Sequence, residues 1–186
     1  MRSSQRRAAA VSIENLLKVV PPPAEPFESY DGPWEPVETF FGTGGLPADY
    51  KEFVLLYGSG YFMEFLGVSV PRAWNENVRI ATNAKIITRN FREHEPLDPY
   101  PYGFWPDPGG LLPFGTTDNG DELFWLTEGA PDTWRVVVWD RGMQTFETFD
   151  CGLTDFLAGL ATGTILPKAF PEDLLPCELL FQPDSR

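Results

Sequence analysis

Apolar positions along this chain change period near its midpoint. In the first half they recur at helical spacing. Ile13, Leu16, Leu17 and Val20 fall at i, i+3, i+4 and i+7, one face of a short helix. Pro21-Pro22-Pro23 ends it. The stretch LPADYKEFVLLYGSG, residues 46–60, predicts a second helix, with Leu46, Tyr50, Phe53, Val54 and Tyr57 on its apolar side. Pro47 suits a first turn, where its missing N–H costs nothing, and Gly58 is a natural stop. Tyr61 to Val70 reads as one or two strands ended by Pro71. A further helix is expected between Trp74 and Phe91, where Ile80, Ala84, Ile87 and Phe91 share a face. Lys85, Arg89 and Arg92 form a basic stripe on another side of it, read as a solvated face. Residues 21–45 read as a long ordered loop anchored by Phe27, Trp34 and Phe40-Phe41. Residues 94–110, with five prolines, also read as a loop.

The second half changes character. Leu111–Phe114, Glu122–Thr127, Trp134–Asp140 and Thr145–Phe149 are short runs rich in aromatic and β-branched residues. Turn residues divide them, at Asp118-Asn119-Gly120, Gly129 to Asp132 and Arg141-Gly142. This pattern predicts an antiparallel meander. A closing helix follows at Leu153–Ala161, and the leucine-rich tail from Gly163 to Arg186 is expected to pack on the domain. No internal repeat stands out. The expectation is one α+β domain over residues 1–186, a mostly antiparallel sheet flanked by helices.

PFGTTDNGDELFW, residues 113–125, crowds Asp118, Asp121 and Glu122 around Asn119-Gly120. A calcium loop of the EF-hand kind needs side-chain ligands at positions 1, 3 and 5 and glycine at 6. Starting from Asp118, position 3 is Gly120 and position 6 is Leu123, so that frame fails. Asn-Gly suits a type I′ hairpin turn, which places Phe124 and Leu126 on one side and Leu123 and Trp125 on the other.

Composition and charge narrow the function classes. The net charge is −13, and it is lopsided: Glu93 to Pro167 holds thirteen acidic residues against two basic, Arg135 and Arg141. Such a surface repels nucleic-acid phosphates and favours a basic partner; a soluble acidic protein with no charge-selected partner is the plain alternative. Two cysteines, Cys151 and Cys177, make no CxxC pair, which suits a reducing cytoplasm. The basic start MRSSQRR fits the edge of a helix, with an organellar transit peptide as the alternative. No window has the roughly 20 apolar residues of a membrane span. His94 is the only histidine, so a Ser–His or Cys–His nucleophile pair would have to use it. The chain has no GxSxG elbow, no phosphate loop with its lysine, and too few His and Cys for zinc. No catalytic, cofactor or metal residue is therefore expected, although paired carboxylates stay open as a catalytic alternative.

Two segments resemble the SMI/KNR-type SUKH superfamily. The first is the Leu46-Pro47 and Asp49-Tyr50-Lys51 helix with Phe53, ending in Gly58. The second is the block from Pro113-Phe114 and Gly120-Asp121 to the closing helix with Thr154, Phe156 and Leu157. The resemblance covers about residues 40–165, leaving the helix within 1–20 and the tail of 163–186 as additions. It implies an α+β fold and action through protein contacts, without a catalytic constellation. Bacterial members are largely immunity proteins that bind and block a cognate toxin, often a nuclease or deaminase. Fungal relatives regulate cell-wall synthesis and signalling. The expectation is thus a cytoplasmic, non-enzymatic module that neutralises a basic toxin domain, the alternative being a regulatory scaffold. Asp118, Asp121, Glu122, Glu128 and Asp132 are the candidate carboxylates for such a partner. Trp125 and Trp134 are the candidate anchors, since Trp is enriched at binding hot spots.

Overall fold

The computed structural model describes residues 13–94 and 99–185. The basic N-terminal segment and residues 95–98 of the Pro-rich insert lie outside the described residues. The elements in chain order are α1 (Glu14–Val19), α2 (Glu35–Phe41), α3 (Ala48–Leu56), β1 (Gly60–Phe62), β2 (Leu66–Val68), α4 (Ile80–Glu93), β3 (Leu111–Thr117), β4 (Glu122–Leu126), β5 (Arg135–Asp140), β6 (Thr145–Phe149), α5 (Leu153–Thr162) and β7 (Phe181–Pro183). The seven strands form one antiparallel sheet in the order β6-β5-β4-β3-β2-β1-β7. The protein is thus a single α+β domain.

Alternation along the meander sorts the strands' side chains onto two faces. Leu112, Phe114, Leu123, Trp125, Val136 and Val138 join the main core, where Tyr50 and Phe53 of α3 and Phe156 and Leu157 of α5 pack on them. Leu111, Phe124, Leu126 and Val137 face the other way, under Phe91 of α4 and Phe104 of the following loop. β4 is therefore buried on both faces, as its continuous apolar run Leu123–Leu126 requires.

The helices are capped by distant residues. The first helical turn of α3 gains an acceptor when Asp132, from the β4–β5 connection, takes the Ala48 N–H at 2.8 Å. Asp49 of α3 does the same for α5, which has Gly152 at its own cap position. Its Oδ2 accepts the Thr154 N–H at 3.0 Å and the Thr154 hydroxyl at 3.1 Å. Asp49 is fully buried, and burial pushes its carboxyl up despite those bonds. Asp49→Ala is expected to cost about 2 kcal/mol, because it orphans the donors at the start of α5. Asp49→Asn, which keeps an acceptor, should stay within about 1 kcal/mol of the parent in urea unfolding at pH 7.

The structure departs from the sequence expectation at four places. Residues 35–41 are helical. Pro36 in the first turn, first-turn glutamates and Gly42 in the left-handed conformation are ordinary helix signals, masked by the surrounding proline and aromatic residues. Pro47 caps α3 from outside, with extended backbone, rather than sitting within its first turn. The tail contributes β7, paired with β1. The Asn119-Gly120 turn is not type I′: Gly120 has φ +82° but Asn119 does not have positive φ. It is a three-residue loop in which Gly120 N–H bonds Thr117 O, the arrangement of a type I turn closed by a left-handed glycine. The paired positive φ values of a two-residue primed turn occur at Met63-Glu64 instead, between β1 and β2.

The basic stripe on α4 faces solvent, but two of its residues are engaged. Lys85 lies over the Phe40 ring at 4.8 Å, and Arg92 meets Asp107 at 2.8 Å and the Phe104 carbonyl at 2.8 Å. They tie α4 to α2 and to the Pro-rich loop.

Candidate protein-binding surface and a second hollow

The seven sequence-selected residues do not form one patch. Asp118, Asp121 and Glu122 sit at one end of β4, and Glu128, Asp132 and Trp134 lie beyond the other. Five residues at about 3.4 Å each separate the ends by roughly 17 Å. Asp118, Glu128 and Asp132 are exposed. Glu128 pairs with Arg135 at 3.1 Å, and Asp132 is spent as the α3 cap. The other four are buried. Trp125 lies inside the main core, 5.0 Å from the Tyr50 ring and 4.5 Å from Phe114. Trp134 packs near it, its indole N–H donating to Gly129 O at 3.3 Å. A side chain sealed in the core cannot touch a partner, so neither tryptophan is an anchor in this fold.

Asp121 is a structural clasp. Its Oδ2 accepts the Thr117 hydroxyl at 2.8 Å and its Oδ1 the Arg141 backbone N–H at 3.0 Å, locking the β3–β4 loop to the β5–β6 loop. Gly120 sits where these loops cross. A Cβ there would come within 2.8 Å of the Arg141 guanidinium.

An exposed anchor lies elsewhere. Phe27, Glu28, Tyr61, Trp74, Asn75, Val78, Asp184 and Ser185 line a groove of about 440 Å³. Trp74 is 80 % exposed and Tyr61 40 % exposed. The chain holds them out by pinning their backbones. Gly58, at φ +69°, lets the Phe27 backbone approach so closely that a Cβ would fall 2.1 Å from the Phe27 carbonyl. That carbonyl accepts the Ser59 N–H at 2.7 Å, which places Phe27 and Glu28 at the groove. Glu28 Oε1 then accepts the Trp74 N–H at 2.6 Å, while Arg79 Nε holds the Ala73 carbonyl at 2.7 Å. Asp184 is fixed by the Ser59 hydroxyl and by its own N–H on Ser59 O. The Tyr61 hydroxyl is pushed up in pKa by burial and by the nearby charges of Asp118 and Asp184. Asp118 does not line the groove but acts on the Tyr61 hydroxyl by charge. The sequence alone did not reveal the groove because its residues come from four distant segments.

The second hollow, of about 450 Å³, opens between the end of α4 and the sheet. Ile87, Asn90, Phe91, His94, Tyr100 and Trp139 line it, with Gly120, Glu122, Arg141 and Gln144. Glu122 and Trp139 are directly paired across β4 and β5. Glu122 is only 9 % exposed, and among the described residues neither its Oε2 nor Trp139 Nε1 has a hydrogen-bond partner. Burial, aided by the Asp121 charge and opposed by Arg141, pushes the Glu122 carboxyl up to about 8.

Of the residues weighed for catalysis, His94 lines the second hollow and Cys151 lines neither. Burial and the charges of Asp155, Asp150 and Asp49 push the Cys151 thiol up to about 12, so it carries almost no thiolate at neutral pH. His94 is exposed at the end of α4, its ring 6.4 Å from that of Tyr100. Among the described residues no three His, Cys, Asp or Glu side chains gather as a metal site. No helix among them is long and apolar enough to cross a membrane.

A family model described as SMI1-KNR4 cell-wall matches residues 37–157. The chain belongs to that family. No curated protein and no solved structure matches it. Membership makes the chain a protein-binding module of the SUKH type, in line with the α+β sheet and with the residues that carried the resemblance. In the SMI1-KNR4 frame, the match begins within α2 and ends within α5. Tyr61, Trp74 and Val78 of the groove fall inside the matched span, whereas Phe27, Glu28, Asp184 and Ser185 fall outside it.

Proposed function

We propose that this protein is a cytoplasmic, non-enzymatic immunity protein that neutralises a basic toxin domain, a nuclease or a deaminase, by covering it. The observation that carries this reading is the acid-rimmed aromatic groove. Trp74 and Tyr61 offer the large, rigid contact area that dominates binding energy. Glu28, Asp118 and Asp184 surround them with negative charge, on a chain whose net charge is −13. Carboxylates there take the place of the substrate phosphates that a nuclease would bind. Among the sequence-selected residues, Asp118 acts on this surface by charge; Glu128 and Asp132 add long-range field rather than contact. Opposite charge speeds encounter and fades as salt rises.

Trp74→Ala is expected to weaken the complex by about 2 kcal/mol, roughly thirtyfold in Kd, with an unchanged melting temperature. Surface plasmon resonance against the product of the adjacent gene measures it. Asp118→Asn should lower the on-rate at low salt and matter little at high salt. An on-rate indifferent to salt removes the electrostatic part of the reading. The family's cell-wall description favours a second reading, a regulatory scaffold using the same groove. A toxin gene beside this one supports the first reading; a consistent lack of one supports the scaffold.

A further inference from the structure

The hollow under α4 is unrelated to the groove and poses a separate problem. A carboxyl oxygen with no partner among the described residues is costly to bury, and an apolar residue at position 122 would avoid that cost. Beside an open cavity, it marks a place where something else completes the structure. Local charges indicate what is missing. Asp121 and Glu122 are adjacent, and the one cation beside them, Arg141, lies across Gly120 rather than on Glu122. No ion pair joins Arg141 to Glu122 among those described. The cavity walls are the rings of Phe91, Tyr100 and Trp139, surfaces that attract cations. Gln144 at its rim holds φ +55°, a strained backbone for a non-glycine residue, of the sort that gathers at binding sites.

We propose that this hollow binds a small organic cation, an alkylammonium or guanidinium group, seated against the Glu122 carboxyl among the rings of Phe91, Tyr100 and Trp139. In the empty site a proton on Glu122 takes the cation's place. Binding ejects that proton to solvent and leaves a carboxylate–cation pair. The unpaired Trp139 N–H finds its acceptor in water that enters with the cation. The groups around Glu122 are Asp121 just before its strand, Arg141 from the β5–β6 loop, His94 at the end of α4, Tyr100 from the Pro-rich loop, and the uncharged Thr116, Asn90 and Gln144. Of these, Arg141 opposes a cation, so the Glu122 carboxylate must form for one to bind.

The test is isothermal titration of the full chain with methylguanidinium chloride and n-butylammonium chloride, against sodium chloride at equal ionic strength. Two buffers of different ionisation enthalpy count the protons. Saturable binding is expected at pH 7 with release of close to one proton per cation, as a carboxyl titrating at about 8 requires. Affinity should rise about tenfold from pH 7 to pH 9 as the ionised fraction grows. Glu122→Gln should bind neither probe. Proton release in the wild type needs no variant, so a misfolded Glu122→Gln does not blunt the test. Displacement of methylguanidinium by the partner protein identifies a partner side chain as the natural cation; continued binding in that complex identifies a free amine. Three results overturn the proposal: no saturable heat beyond the sodium control, binding without proton release, or unchanged binding by Glu122→Gln. So does a Glu122 carboxyl that titrates normally in the wild type and rises only in Arg141→Ala, since Arg141 is then its partner.

Discussion

Trp125→Ala is expected to destabilise the domain by about 4 kcal/mol, the usual range for emptying a large aromatic from a core. That is a large share of the roughly 5–15 kcal/mol that holds a domain together. In a chain of this length it lowers the melting temperature by roughly 8–16 °C. The indole is fully buried between α3 and the sheet, in ring contact with Tyr50, Phe114 and Trp134, so its removal leaves a void that three neighbours cannot fill without moving. Trp125→Phe should lose far less, because it keeps most of the ring and deletes an indole N–H that has no acceptor. Thermal unfolding of both variants checks this. The contrast with Trp74→Ala is the useful part. The same residue type is expected to move stability and not affinity at position 125, and affinity and not stability at position 74. A Trp125→Ala protein that melts like its parent would mean that β4 is not the centre of the core.

That contrast also measures how far the sequence could be read. α3 and α4 were legible because their apolar residues recur at helical spacing, and the meander because turn residues divide short runs of aromatic and β-branched residues. The family resemblance was carried by Tyr50, Phe53, Asp121 and Phe156, which are interior positions. α2 was hidden because Pro36 and Phe40-Phe41 look like loop anchors until the Gly42 stop is weighed. β7 was hidden because three residues have no measurable period, and only its pairing with β1 makes it a strand. The candidate site was read at the right turn but with the wrong exposure. Asp118 stands at the exposed loop tip, whereas Asp121 is clasped to the neighbouring β5–β6 loop and Glu122 is buried at the hollow under α4. Nothing local marks that second loop as lying there. The groove was beyond reach for a related reason: Trp74 sits in a polar stretch, and its companions Phe27, Tyr61 and Asp184 become neighbours only through Gly58 and the β1–β7 pairing.

Glu122→Gln is expected to change how stability depends on pH. The Glu122 carboxyl titrates at about 8 in the folded chain, against 4.5 for an ordinary glutamate. The folded state therefore holds a proton that the unfolded state gives up. Below about 4.5 both states are protonated and Glu122 costs nothing through ionisation. As pH rises from there towards 8 the unfolded state is increasingly favoured, and above 8 the loss levels off. Over the whole window it amounts to roughly 3–5 kcal/mol. The wild type should thus lose urea resistance between pH 5 and pH 8.5, while Glu122→Gln loses much less and is the more stable protein at pH 8.5. Asp49, raised by burial in the same direction, leaves the variant a residual slope that Asp49→Asn should remove. Glu38, lowered by its contact with Lys51, acts oppositely and weakens the fold only on the acid side, below the ordinary glutamate range. A glutamate with this cost has a plain physical consequence for the hollow beside it: any cation that binds there stabilises the fold most at the pH where the empty protein is weakest. Adding methylguanidinium at pH 8.5 should therefore raise the wild-type melting temperature and leave Glu122→Gln where it was, and parallel slopes of stability against pH in the two proteins would show that Glu122 is not the group responsible.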